Sequence, residues 1–346
     1  MQQNILPYVF GFLIALGGAL LANWLNSPLP WLIGPLIATA ITSMLGTPSK
    51  SHDYVRCAGQ WVIGTSLGLY FTPHTVQAIV SYWPYIGLSL LFALVLSGVN
   101  AAALYRWGQV DFKTAWFAGA VGGASEMANL ASRYNARIDS VASSHSVRVL
   151  IVVMIIPFAY KFLGVQGDTH SPSTLAYQFS YSGLVILVTL SLTMVAIFKR
   201  FRIPNAWVQA PLLVALLLTS NEIHLTHLSP TIQSLGQLCI GWSLGSKYGP
   251  DFFSRAPRYL TVSSLVSVFA LILSAGFAYL LSYMTDISFS TLVLSVSPGG
   301  IAEMTITAKV LMLGVPTVAA FHVARMIFVI IIAQPCYQLL ARWFEK

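Results

Sequence analysis

Apolar residues dominate the chain in long runs that are separated by short polar stretches. About ten runs approach or reach the roughly 20 residues that a helix needs to cross a bilayer. They are Tyr8–Leu25, Trp31–Met44, Ala58–Phe71, Tyr85–Leu104, Val147–Leu163, Ser182–Phe198, Ala206–Thr219, Ile232–Leu244, Val262–Tyr283 and Val318–Leu340. Two further segments, Thr114–Ala131 and Leu292–Ala308, are interrupted by glycine pairs, and each contains one glutamate. The pattern predicts an all-α polytopic membrane protein with about ten membrane-crossing helices and two broken or re-entrant segments.

Composition supports this prediction. Of the 346 residues, 56% are hydrophobic and 8% are charged, and the mean hydropathy is +0.75. Soluble domains have about 25% charged residues, so lipid must be the solvent for most of this surface. The first apolar run lacks a basic segment before it and a small-residue cleavage site after it, which predicts a retained helix and not a cleaved signal peptide.

Charge and cysteine content narrow the possible partners. The net charge of +8 comes from basic residues scattered over short loops, which the positive-inside rule explains without a nucleic-acid partner. Cys57, Cys239 and Cys336 lack the spacing of a disulfide framework or a zinc site. No metal and no other cofactor is therefore expected.

The chain contains an internal duplication. GQWVIGTSLG at 59–68 matches GQLCIGWSLG at 236–245 in 7 of 10 positions, at a shift of 177 residues. Rare polar residues of the apolar segments align at the same shift and in the same order. The duplication predicts a first membrane repeat over residues 1–163, a linker loop over 164–179 and a second repeat over 180–346. Glycines spaced by four residues within the matched decapeptides predict close helix packing.

The distribution of basic residues predicts that the two repeats have opposite orientations. Lys50 and Arg56 lie in a loop whose counterpart has no Lys or Arg, whereas the basic loop that contains Lys199 and Arg200 matches an uncharged one. Because basic loops lie on the cytoplasmic side, complementary loops indicate an inverted repeat with both termini cytoplasmic. Inversion requires an odd number of crossings in each copy, whereas each copy has six apolar segments. One segment in each copy must therefore fail to cross, and the glycine-broken segments are predicted to be these re-entrant segments. The alternative is that they cross as unwound helices.

The glycine-broken segments contain the first candidate site residues. Inverted repeats with interrupted helices are typical of secondary transporters, whose substrate site lies near the bilayer midplane. Each break would expose a half-helix N-terminus that attracts anions, and an acid beside it can carry a proton or bind a cation. The alternatives are close packing at the glycine pairs and structural ion pairs at the acids. The candidates in these segments are Gly122, Gly123, Ser125, Glu126, Gly299, Gly300 and Glu303.

Each repeat also has a histidine followed three residues later by an arginine, which places both on one helical face. These pairs are His145 with Arg148 and His322 with Arg325. An arginine fork binds carboxylate or phosphate with two parallel hydrogen bonds, so the arginines are candidates for holding an anionic substrate. The alternatives are pairing with the glutamates and extension to the membrane interface. The histidines are candidates for proton relay or for hydrogen-bonded packing.

The sequence resembles a known family at the motifs just described. GGASEMANLASRYNARIDSVASSHSVRV at 122–149, SPLPWLIGPLIA at 27–38 and SPGGIAEMTITA at 297–308 are similar to the AbrB-type bacterial inner-membrane family with an internal AbrB duplication. The resemblance covers essentially the whole chain, and it implies a duplicated protein of the bacterial inner membrane. The family has been labelled both as an ammonia monooxygenase and as a regulator, and it shares its name with an unrelated DNA-binding regulator.

Three hypotheses about function follow. A secondary transporter of a small anionic organic solute is favoured, with proton coupling as an open possibility. A membrane-embedded regulatory or sensor protein that acts through a partner is the alternative. A membrane monooxygenase is disfavoured because its copper or iron would need several converging ligands, so no enzymatic activity is expected. The oligomeric state is left open, a homodimer included.

Overall fold

The structure is a computed structural model that describes residues 6–47, 50–167, 180–250, 252 and 256–344. Within these ranges the chain forms fifteen α-helices and no strand. The first eight are α1 (Leu6–Trp24), α2 (Pro30–Met44), α3 (Asp53–Gly68), α4 (Pro73–Ser81), α5 (Trp83–Trp107), α6 (Phe112–Gly119), α7 (Ala124–Arg133) and α8 (Ile138–Phe162). The others are α9 (Tyr181–Arg200), α10 (Ala206–Ser220), α11 (Pro230–Gly245), α12 (Pro257–Ser282), α13 (Phe289–Val296), α14 (Ile301–Val310) and α15 (Val315–Phe344).

The helices have the lengths of a membrane protein. Over the described residues, six helices are long and apolar enough to cross a bilayer, namely α1, α5, α8, α9, α12 and α15. The helices α2, α3, α10 and α11, which match four other predicted crossings, have 15 or 16 residues. At a rise of 1.5 Å per residue they are about 22–24 Å long, which is shorter than the roughly 30 Å hydrocarbon core.

Elements of similar geometry recur along the backbone. The broken segments have the same construction in both copies, with 8 residues in α6 and α13 and 10 residues in α7 and α14. Residues in the left-handed conformation also recur, at shifts of 176 or 177 residues. They form the pairs Asn26 and Arg202, Leu29 and Asn205, Gly46 and Glu222, and Asn135 and Met312. Because side chains other than glycine rarely adopt this conformation, its recurrence indicates that equivalent turns have the same geometry.

Residue contacts divide the chain into two compact units, and each unit takes helices from both copies. The first unit comprises Met1–Val76 and Pro157–Phe253, and the second comprises Gln77–Ile156 and Ser254–Lys346. Residues 168–179, which make up most of the predicted linker, lie outside the described residues, as do both ends of the chain.

In the first unit, glycines allow helices of opposite copies to pack closely. A Cβ atom added to Gly64 of α3 would overlap the carbonyl of Val208 in α10, and one added to Gly241 of α11 would overlap the carbonyl of Leu32 in α2. At the centre, a Cβ on Gly59 would lie 2.7 Å from the Gly236 carbonyl oxygen. The predicted close packing at Gly64 and Gly241 is confirmed, and the backbones approach as in small-residue membrane interfaces.

In the second unit, the equivalent helices α5 and α12 run antiparallel to each other. Arg258 at the start of α12 donates from Nε to the carbonyl of Trp107 at the end of α5, over 3.2 Å. Farther along the pair, Phe92 of α5 stacks on Phe277 of α12 with ring centroids 4.1 Å apart. The broken segments α6–α7 and α13–α14, the helix α15 and the part of α8 up to Ile156 complete this unit.

Candidate functional site

Two helix breaks form the framework of the candidate site. The helix α6 ends at Gly119 and α7 begins at Ala124, while α13 ends at Val296 and α14 begins at Ile301. The intervening backbone is extended at Gly123 and Gly300, which are the N-caps of α7 and α14. Each break therefore leaves one half-helix C-terminus and one half-helix N-terminus inside the protein. Their unpaired backbone groups need other partners, since buried polar groups without hydrogen bonds are costly.

In the first copy, side chains from α8 bind the carbonyls at the end of α6. His145 Nε2 donates to the Phe117 carbonyl over 3.0 Å. Arg148 donates from Nη2 to the Ala118 carbonyl over 2.5 Å and from Nη1 to the Ala120 carbonyl over 2.7 Å. Both side chains are at least 95% buried. The guanidinium thus satisfies two orphan carbonyls and places a positive charge at the negative end of the α6 dipole.

Two polar residues of α5 complete the first break. Ser97 Oγ accepts from the backbone N–H of Val121 over 2.9 Å, and Asn100 Nδ2 donates to the Gly119 carbonyl over 3.3 Å. Asn100 Oδ1 is buried without a hydrogen-bond partner. Neither residue was predicted from the sequence. The sequence does contain a signal for Ser97, because the internal duplication matches it with another serine, Ser274, at the shift of 177 residues.

The second copy has a similar arrangement. Arg325 donates from Nη1 to the Ser297 carbonyl and from Nη2 to the Gly299 carbonyl, the latter over 2.7 Å. His322 Nε2 donates to the Leu294 carbonyl over 2.8 Å. Arg325 Nε is buried without a hydrogen-bond partner, so the second guanidinium keeps one unused donor.

The two glutamates lie beside the N-termini of the half-helices that follow the breaks, α7 and α14. A Cβ atom added to Gly123 would overlap the Glu126 carboxylate, and one added to Gly300 would overlap that of Glu303. Each glutamate is the third helical residue after its glycine N-cap, the position from which a capping-box glutamate folds back. The carboxylates therefore lie at the positive ends of α7 and α14. Glu303 is 9% exposed, whereas Glu126 is half-buried.

Each break packs against a helix of the other copy. A Cβ atom on Gly122 would lie 3.1 Å from Val329 Cγ1 of α15, and one on Gly299 would lie 2.9 Å from Val152 Cγ1 of α8. Both valines stand one turn beyond the arginine of their own helix. The second unit thus brings both breaks, both glutamates and both histidine–arginine pairs into one structure. All four half-helix ends have a side chain of opposite charge beside them.

The sequence of this chain is similar to proteins of a known family. A family model described as "Transition state regulatory protein AbrB" matches residues 31–344. The chain belongs to the AbrB family. "Uncharacterized protein YhjN" of Bacillus subtilis (strain 168) is 26% identical over 365 aligned positions, which cover 98% of this chain and 94% of that protein. "Putative regulator AbrB" of Escherichia coli (strain K12) is 26% identical over 283 positions, which cover 81% of each chain. The resemblance identified in the sequence is therefore confirmed.

In this AbrB-family chain, every predicted site residue belongs to the second unit. The glycine pairs do interrupt the helices, as predicted. The arginines bind backbone carbonyls of the breaks, an arrangement that none of the sequence interpretations included. Ser125 is exposed beside the α7 N-terminus. Binding of a substrate or an ion by these residues stays a prediction.

Among the residues that the structure describes, no group of three or more His, Cys, Asp or Glu side chains has the arrangement of a metal site. Both site histidines direct Nε2 to a backbone carbonyl. The chemistry of the site is therefore that of two fixed guanidinium groups and two carboxylates at helix ends. Such groups can hold charged solutes and exchange protons at the carboxylates.

Proposed function

We propose that this protein is a secondary active transporter of a small organic anion, driven by protons, in the bacterial inner membrane. The observation that carries the proposal is the pair of broken helices in one unit, with a glutamate at each half-helix N-terminus and an arginine at each half-helix C-terminus. Broken helices with charged residues at membrane depth are typical of transporter binding sites. Dedicated side chains stabilise both breaks, which supports a functional role over accidental distortion.

The antiparallel course of α5 and α12 supports an inverted repeat, because equivalent helices of parallel repeats would point the same way. The hydrogen bond between Arg258 and the end of α5 also brings Arg258 and Arg106 to the same end of the unit. Both residues belong to loops that the positive-inside rule assigns to the cytoplasm. In the proposed topology, ten helices cross the membrane and both termini are cytoplasmic. The short helices α2, α3, α10 and α11 then cross where the bilayer is locally thinned.

The glutamates suggest how protons and an anion are coupled. An ionised Glu303 carboxylate occupies the positive end of α14 and repels another anion from it. Protonation of Glu303 removes that negative charge and releases the end of the helix for a substrate carboxylate, since free N–H groups and the helix dipole favour anions. The unused Nε donor of Arg325 adds an attraction for the same anion. Proton and anion would therefore bind together.

The test is transport by the purified chain in proteoliposomes. Labelled mono-, di- and tricarboxylates are supplied with and without an imposed proton gradient, and at least one should accumulate only with the gradient. Glu303→Gln should abolish gradient-driven uptake and retain exchange, because the neutral amide imitates a permanently protonated acid. The matched control is Glu222→Gln, at an exposed glutamate in the turn after α10. Uptake of no carboxylate, or unchanged gradient dependence in both Glu126→Gln and Glu303→Gln, would overturn the proposal.

A membrane-embedded regulator that acts through a partner is the second candidate. The observation that favours it is the name of the Escherichia coli relative, which designates a regulator. Reconstitution separates the two functions, since a transporter moves its solute in liposomes that contain no other protein. A monooxygenase is not supported by the donor set, because the two histidines face carbonyls and not a shared metal position.

A further inference from the structure

The second unit has an apolar groove that the proposed transport mechanism does not use. The groove lies between α5 and α12 and has a volume of about 540 Å³. Its walls are formed mainly by Val99, Ala103, Val262, Leu265, Val266 and Phe269. Several of these side chains are exposed, Leu265 at 65% and Phe269 at 49%. An open groove with such walls suits a flexible hydrocarbon chain better than a polar solute.

One end of the groove is cationic. Arg106 and Trp107 line this end, and Arg258 is fixed beside them by its hydrogen bond to the Trp107 carbonyl. Both arginine side chains are exposed, and Trp107 is 56% exposed. Tryptophan is enriched at the level of lipid headgroups, and arginine binds phosphate with a two-pronged fork. The groove is therefore apolar along its length and suited to a phosphate at its mouth.

The dimensions fit one leaflet of a bilayer. The stretch of α5 from Val99 to Trp107 rises by about 12 Å at 1.5 Å per residue. Half of a typical hydrocarbon core is about 15 Å thick. A lipid whose phosphate lies on the arginines would thus place most of one acyl chain in the groove. The inner end reaches Asn100, whose amide also holds the first helix break.

We propose that this groove is a binding site for an anionic phospholipid, with the phosphate on Arg106 and Arg258 and one acyl chain between α5 and α12. Two nearby guanidinium groups favour a headgroup with net negative charge over a zwitterionic one, whose own cation would be repelled. The lipid proposal does not depend on the transport proposal.

Native mass spectrometry of the full chain in detergent tests the site. Dioleoylphosphatidylglycerol should remain bound at lower concentration than dioleoylphosphatidylcholine. The double variant Arg106→Gln with Arg258→Gln should weaken phosphatidylglycerol binding about 30-fold, since each basic residue contributes roughly 1 kcal/mol to attraction of anionic lipid. The control variant, Arg200→Gln with Arg342→Gln, removes two exposed arginines from other helices and should bind as the wild type does. Glycerol phosphate, which lacks acyl chains, should not displace the lipid.

A second pair of variants tests the groove itself. Ala103→Trp fills the cavity and should abolish lipid retention, while Val95→Trp changes an exposed residue of α5 outside the groove lining and should not. Equal retention of the two lipids by the wild type would overturn the proposal, as would an unchanged preference in the arginine double variant. A change in oligomeric mass caused by Ala103→Trp, with lipid retention unaltered, would show that a second copy of the chain covers the groove and would also overturn it.

Discussion

Arg325 donates a hydrogen bond from Nη2 to Nδ1 of His322 over 2.9 Å, one turn apart on α15. Because the guanidinium can only donate, His322 Nδ1 is an acceptor and its proton lies on Nε2, which donates to the Leu294 carbonyl. The imidazole is therefore neutral and fixed in one tautomer. This favours hydrogen-bonded packing over proton relay as the role of His322 in the state described.

The two site histidines should differ in their effect on stability. Replacement of His145 by Phe leaves the Phe117 carbonyl without its bond from Nε2, and a buried orphan acceptor costs about 1–3 kcal/mol. His322→Phe should cost less, because Ser297 Oγ also donates to the Leu294 carbonyl over 3.1 Å. Thermal unfolding of the purified variants in detergent measures the difference. A larger loss for His322→Phe would contradict this account of the carbonyl caps.

Gly300 should depend on Glu303. The three atoms nearest to a Cβ atom built on Gly300 all belong to the Glu303 side chain. Gly300→Ala should therefore displace the carboxylate from the α14 N-terminus and destabilise the protein by about 1 kcal/mol, the usual size of a lost cap.

The test is a double-mutant cycle with Glu303→Ala, read as the free energy of unfolding. In the Glu303→Ala background the second substitution should cost almost nothing. Gly17→Ala is the control, since nothing lies within 4 Å of a Cβ atom there. An equal cost of Gly300→Ala in both backgrounds would show that the backbone, and not the carboxylate, requires glycine.

Close approach of helix backbones in the first unit predicts which glycines tolerate alanine. Gly64→Ala and Gly241→Ala should force α3 from α10 and α11 from α2, because the added methyl meets a backbone carbonyl. Gly87→Ala and Gly276→Ala have open space around the methyl and should be neutral or stabilise by up to about 1 kcal/mol through helix propensity. Thermal stability of the four variants distinguishes the two classes. Equal tolerance at all four positions would contradict the described packing.

The inverted topology predicts the side from which single cysteines react. After replacement of the native cysteines by serine, cysteines at Lys50, Lys247, Arg106 and Arg258 should react with an impermeant maleimide only from the cytoplasmic face. A cysteine at Gln166, in the connection between the repeats, should react only from outside. Reaction at Lys50 and Lys247 from opposite faces would exclude the inverted arrangement.

The sequence predicted the helical membrane class and the family, because long apolar runs and rare polar motifs are strong local signals. It also located both breaks, since Gly122–Gly123 and Gly299–Gly300 are each followed three residues later by a glutamate within an apolar segment. It did not predict what the arginines bind. Spacing of three residues places His145 and Arg148 on one helical face, but the groups that face them come from a segment about 30 residues earlier. Such contacts depend on tertiary packing, which local periodicity does not specify.

The lengths of the short helices were also difficult to predict. Apolar character continues past Gly68 into Leu69 and Phe71, whereas α3 ends at Gly68. Hydropathy reports which residues avoid water, but the end of a helix depends on its capping geometry. The run Ala58–Phe71 therefore predicted a helix at this place in the chain, but it gave the ends of that helix only approximately.

The contacts of Gly122 with α15 and of Gly299 with α8 have a consequence for how the two halves evolve. A larger residue at Val329 would press on the break of the first copy, and one at Val152 would press on the break of the second. An enlargement at either valine in one half of the gene would therefore require a matching change at the break encoded by the other half. A duplicated ancestor of this kind would have lost its freedom to diverge at these positions as soon as the two copies shared one fold.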